Sequence, residues 1–133
     1  MLSPDWDTVR LFLHVLAATV WVGGQLTLAV LVPALRQVSP TAPRTAARRF
    51  NAVAWPAYGV LIATGIWNVV AVGGQDHGSY RTTLTAKIVV VALSGLSALV
   101  HTRSRTPAGL AIWGAVTGLT ALAALFLGVL LAG

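Results

Sequence analysis

Residues 11–35 read LFLHVLAATVWVGGQLTLAVLVPAL, a run with no Asp, Glu, Lys or Arg, closed by Arg10 at one end and Arg36 at the other. A helix needs about 20 mostly apolar residues to cross a hydrocarbon core of roughly 30 Å, so this run predicts a transmembrane span. Three more stretches read the same way. Residues 50–72 follow Arg48 and Arg49 and stop at Gly73 and Gly74; residues 82–101 lie between Arg81 and the group His101, Arg103 and Arg105; residues 108–131 follow Pro107, a residue suited to a first helical turn. Four spans leave almost no chain for anything else.

The composition agrees. Of 133 residues 56% are hydrophobic and 9% charged, with a mean hydropathy of +0.80, whereas an average soluble domain of this length carries about a quarter charged residues. So small a soluble domain still exposes roughly a third of its unfolded surface and cannot hide this much apolar chain. An ordinary cytosolic enzyme and a disordered chain are excluded. A net charge of +6 and a pI near 11.5 suggest nucleic acid, but such binders spread Lys and Arg over a solvated face. Here the arginines occupy short gaps between apolar runs, so no nucleic-acid partner is expected. With no cysteine, disulfides, thiolate metal sites and iron–sulfur clusters are excluded as well.

Short connections make consecutive spans antiparallel neighbours, and the simplest packing is an all-α, up-down four-helix bundle within a single membrane domain. Arg36, Arg44, Arg48, Arg49, Arg103 and Arg105 fall on one side; Arg10 and Arg81 fall on the other, with Asp5, Asp7 and Asp76. The positive-inside bias then places the first and third connections in the cytoplasm and both termini outside; the membrane expected is a bacterial plasma membrane. The N-terminus lacks a basic n-region, so the first span is expected to be retained and not cleaved. Trp6, Trp55, Trp113 and Tyr80 fall near expected boundaries, where amphipathic rings are favoured. Small residues recur in the spans, among them Gly23, Gly24, Ser94 and Gly95, and let backbones approach closely. The pair Gly114-x-x-x-Gly118 serves either packing within the chain or a homodimer.

An ionisable side chain inside a bilayer costs at least roughly 2.5 kcal/mol at mid-helix and is a functional candidate. His14 lies four residues past Arg10, about 6 Å inward, and Lys87 six residues past Arg81, about 9 Å inward, both counted from the outer face. The two are therefore expected at similar depth. His101, about 21 Å below Lys87, is expected to be a hydrated boundary residue. Lys87, Val91, Ser94, Ala98 and His101 form a stripe at helical spacing, as do His14, Ala17, Trp21, Gln25 and Leu28, and stripes with small and polar members belong in a bundle interior. Trp67 and Asn68 fall at the outer end of the second span, at the depth of His14. Lys87 can also snorkel outward, and a lone intramembrane histidine can be a packing residue.

A buried imidazole near an amine, walled by small residues and tryptophan, has a chemical use. Neutral imidazole is a good axial ligand for haem iron, and helix bundles hold cofactors between facing helices. On this reading His14 ligates the metal, Lys87 is a second ligand, proton relay or propionate partner, and Trp21, Trp67, Asn68 and Ser94 line the cofactor.

The run 13–24, LHVLAATVWVGG, resembles the first helix of the copper-resistance D (CopD-like) membrane family. Arg48-Arg49-Phe50-Asn51, opening a helix that passes Thr64-Gly65-Ile66-Trp67-Asn68, resembles the next segment, and Ala86-Lys87-Ile88-Val89, running to His101 and Arg103, resembles the third. The pattern is also similar to HemJ, a four-helix haem b family of protoporphyrinogen oxidases that depends on a first-helix His and a third-helix Lys; His14 and Lys87 match those positions. Val100 stands where HemJ often has a tyrosine. The resemblance implies haem b, with electron transfer or porphyrin chemistry and a redox or porphyrin partner. The CopD likeness implies copper uptake or tolerance as the alternative, carried by His14, His77, Asp5, Asp7 and the N-terminal amine, although copper(I) prefers sulfur ligands and Met1 is the lone methionine. A non-catalytic accessory subunit of a membrane complex is the third expectation.

Overall fold

The computed structural model describes residues 1–73 and 78–133. Within them the chain forms four long helices, α1 (Trp6–Val38), α2 (Ala42–Ala71), α3 (Gly78–Arg103) and α4 (Pro107–Ala132), each long and apolar enough to cross a membrane. No strand occurs among the described residues. Gly74, Asp76 and His77, which the sequence reading used for a helix stop, an outer-side charge and a copper ligand, lie outside the described residues.

The helices carry their apolar side chains outward. Only 11% to 22% of the residues in the most apolar window of each helix are buried, and Val30, Leu119 and Phe126 are exposed to 78%, 67% and 64%. In water each such exposed side chain forgoes about 1.5–3 kcal/mol of burial; in hydrocarbon that penalty vanishes. These are the surfaces of a multi-pass membrane protein.

Polar groups in the helices follow the same logic, since lipid offers the backbone and hydroxyls no water. Thr27 donates to Gly23 O at 2.8 Å, Ser97 to Leu93 O at 2.7 Å, Thr117 to Trp113 O at 2.7 Å and Thr120 to Val116 O at 2.7 Å. Each hydroxyl thus returns its hydrogen to a carbonyl one turn back on its own helix.

Helix ends show which residues start and stop each element. Asp5 caps α1: its carboxylate accepts from Thr8 N at 2.8 Å, while the Thr8 hydroxyl accepts in return from Asp5 N at 3.3 Å, a reciprocal capping box. The polar segment around 37–49, expected as a connection, is mostly helix. Only a short turn separates α1 from α2, held by Ser39 Oγ accepting from Thr41 N and Ala42 N at 3.1 Å each. Pro43 in the first turn and the alanines beside Arg44, Arg48 and Arg49 favour helix there. Thr106 caps α4, accepting from Gly109 N at 3.0 Å, with Pro107 in the first turn as expected.

Contacts divide the chain into two compact units, Met1–Gly73 and Gly74–Gly133. The first holds α1 and α2. His14 meets Thr64, Trp21 meets Trp55 and Tyr58, and the Phe50 ring occupies the space where a Cβ on Gly24 would lie. Positions rise on α1 as they fall on α2, so the pair is antiparallel. Within α1, Thr19–Gly23 forms a single π turn, a widening that shifts every later side chain around the helix axis. It buries Trp21 and Val22 and brings Gly24 against Phe50.

The second unit holds α3 and α4, also antiparallel. Lys87 packs on Gly128, Ser94 and Ser97 meet Thr117, and His101 meets Leu110 and Gly114. The buried residues of α3 are Ser94, Gly95, Ser97 and Ala98, which contain the small centre of the stripe read from the sequence. Small side chains let the two backbones close in, and Ser94 Oγ reaches the Thr117 carbonyl at 3.3 Å while the Thr117 hydroxyl lies 3.1 Å from Ser97 Oγ.

Candidate functional site

The first unit holds His14, Trp21, Trp67 and Asn68; the second holds Lys87 and Ser94. His14 is half-buried on α1, with Nδ1 2.7 Å from Thr64 Oγ1 on α2. Thr64 is 4% exposed, and its hydroxyl has one hydrogen to give. Val60 O lies 2.7 Å away and Leu61 O 3.3 Å. With that hydrogen directed to its own helix, Oγ1 serves as the acceptor and Nδ1 of His14 donates. In neutral imidazole one nitrogen carries the proton and the other the lone pair. With Nδ1 as the donor, the lone pair falls on Nε2.

Gly65 lies beside the ring, where an added Cβ would be 3.9 Å from His14 Cε1. Ala17, one turn beyond His14 on α1, is 4% exposed. Trp21, on the same stripe, sits in an aromatic cluster, with ring centroids 4.6 Å from Tyr58 and 5.4 Å from Trp55. Trp55 lies seven residues after Arg48 on α2. Trp67 is 38% exposed. Asn68 is half-buried, and its Oδ1 has no hydrogen-bond partner.

In the second unit the Lys87 side chain lies across α4, where a Cβ on Gly128 would come within 3.1 Å of Nζ. Ser94 is 1% exposed and bonded to α4, so its role within this unit is to join two helices. His101 donates from Nδ1 to Leu110 O at 2.9 Å, and its ring packs on Gly114. The first glycine of the Gly114-x-x-x-Gly118 pair therefore serves packing inside the chain, while Gly118 has open space where its Cβ would be.

Two residues that sequence reasoning passed over stand out. Thr64 entered only as part of a resemblance, because a threonine in a span is ordinary; its signal is a position that can face His14 in an antiparallel pair. Arg10 was read as a boundary charge, yet it is 7% exposed. Among the described residues, no three His, Asp or Glu side chains gather as a metal-binding group. Haem asks for less, since the macrocycle supplies four nitrogens and the protein only axial ligands. Comparisons with protein-family profiles, with curated proteins and with solved structures find no match to this chain.

Proposed function

We propose that the chain is an integral membrane protein that binds haem b and serves electron transfer or porphyrin-related redox chemistry. The observation that supports this reading is the His14–Thr64 contact. A histidine ligand works through a lone pair, and its other ring nitrogen is ordinarily anchored to a hydrogen-bond acceptor, which fixes tautomer and ring orientation. Thr64 Oγ1 provides that acceptor, so Nε2 is the nitrogen that would ligate. Bound haem would supply one-electron transfer.

The test is the absorption spectrum of detergent-purified protein from haem-replete cells. A Soret band that His14→Ala abolishes supports the reading. A colourless preparation counts against it, and bound copper without haem would favour the copper alternative. The same proposal places both termini outside the plasma membrane, because six arginines flank the first and third connections. A topology reporter fused after Gly133 should register as external, and a cytoplasmic signal would reverse the assignment.

A further inference from the structure

Three buried polar atoms in the first unit have no hydrogen-bond partner: Nε and Nη1 of Arg10, and Oδ1 of Asn68. Buried polar groups are nearly always paired, so each such exception calls for an explanation. Arg10 Nη1 does lie 3.2 Å from Asp7 Oδ1, but that carboxylate belongs to a side chain 69% exposed, where water and salt weaken the attraction. Nε has not even that.

Arg10 and Asn68 stand at one level of the hairpin. The contact between His14 and Thr64 sets the antiparallel register of α1 and α2. One turn outward from it is Arg10 on α1 and Asn68 on α2, each four residues on. One unused donor on a cation, a second shared only with an exposed carboxylate, and one unused acceptor thus flank the same short stretch of the hairpin. A ligand that satisfies both offers negatively charged oxygens to the guanidinium and a hydroxyl to the amide oxygen.

Depth narrows the class. At 1.5 Å per residue the 33-residue α1 is about 50 Å long, well beyond a core of roughly 30 Å. With its middle at the bilayer centre, Arg10 stands about 18 Å out, just beyond the hydrocarbon, whereas His14, at about 12 Å, remains inside. The level of Arg10 is that of lipid phosphates.

We propose that Arg10 and Asn68 form a headgroup site for an anionic glycerol phosphodiester. Arg10 donates to the phosphate oxygens, and Asn68 Oδ1 accepts from a headgroup hydroxyl. The site belongs to the first unit alone and does not depend on haem.

The full chain, purified in detergent, is incubated with equal amounts of phosphatidylglycerol and phosphatidylcholine, and the retained lipid is read by native mass spectrometry. A charge-assisted contact of this kind predicts retention of phosphatidylglycerol about tenfold over phosphatidylcholine. Arg10→Gln brings the ratio towards one, and Asn68→Leu removes the advantage of phosphatidylglycerol over phosphatidic acid, which lacks the glycerol hydroxyl. Arg44→Gln, an exposed arginine of α2, leaves the ratio unchanged. Competition with millimolar glycerol 1-phosphate separates the sources: displacement shows that the headgroup alone suffices, and persistence shows that the lipid is required. If Arg10→Gln does not fold, the wild-type ratio still decides. Equal retention of the two lipids by wild type, or an undiminished ratio in folded Arg10→Gln, overturns the proposal.

Discussion

His14 Nδ1 lies 2.7 Å from Thr64 Oγ1, and Val60 O, one turn back on the threonine's own helix, lies equally near the same hydroxyl, also at 2.7 Å. With its hydrogen given to that carbonyl, the threonine is an acceptor for imidazole. Replacing it by valine keeps the shape and removes the acceptor. Thr64→Val should weaken haem binding about 10- to 100-fold, the usual cost of losing an outer-shell partner of a metal-ligating histidine, while Thr64→Ser restores most of it. In the haem-free protein the same valine leaves a buried N–H unpaired, a loss of about 1 kcal/mol, visible as an earlier thermal transition in detergent. Titration by Soret absorbance checks the first effect and unfolding the second. Undiminished haem affinity in Thr64→Val would remove the support for the tautomer argument.

Why the spans were legible and the contact was not follows from what lipid demands. Runs such as 11–35 must be apolar whatever they pack against, so hydropathy finds them. Rotation about a helix axis is set by the neighbour, and the π turn at Thr19–Gly23 moves it again with no mark in the residue pattern. The stripes nevertheless come out inward on both helices, Ser94 and Ala98 on α3 and Ala17 and Trp21 on α1 being buried, while the partners they meet, such as Trp55 and Tyr58 around Trp21, were not legible. Arg10 was legible as a charge near a helix end but not as a buried one, because burial depends on the partner helix.

Gly24 and Phe50 are complementary in volume. The ring fills the site of the missing Cβ, so Gly24→Ala must displace an aromatic side chain or part the two helices. Overpacking of this kind costs about 1–3 kcal/mol. The double variant Gly24→Ala with Phe50→Ala should recover part of that loss. The two changes then couple in a double-mutant cycle, read by thermal unfolding in one detergent. Strict additivity would show that ring and glycine do not share the space.

The two glycines of α4 should respond differently. A Cβ on Gly114 would come within 3.1 Å of His101 Cε1, and the ring is held there by Nδ1 donating to Leu110 O. Gly114→Val should therefore lower stability by about 1–3 kcal/mol, with partial relief from His101→Ala. Around Gly118 no atom lies within 4 Å of the added Cβ, so Gly118→Val should leave monomer stability nearly unchanged. Size-exclusion chromatography of Gly118→Val tests the remaining use of the motif: a shift from dimer to monomer would show that this glycine serves a second copy, and an unchanged profile would confine the pair to intrachain packing.

The start of α1 should depend on pH through Asp5. Its carboxylate accepts from the Thr8 hydroxyl at 2.7 Å and from Thr8 N at 2.8 Å, and these bonds hold its pKa below the ordinary carboxylate value. A group whose pKa is lowered by folding stabilises the folded form above its unfolded pKa, and that contribution fades as pH falls through the folded value. Protection factors for the amides of Thr8, Val9 and Arg10 in hydrogen exchange should accordingly be level at neutral pH and decline in acid, with the midpoint displaced below that of a free aspartate. Asp5→Asn retains an acceptor for the cap but has no titrating group, so its profile should be flat. An acid decline that survives in Asp5→Asn would assign the effect to another group and sink this account of the cap.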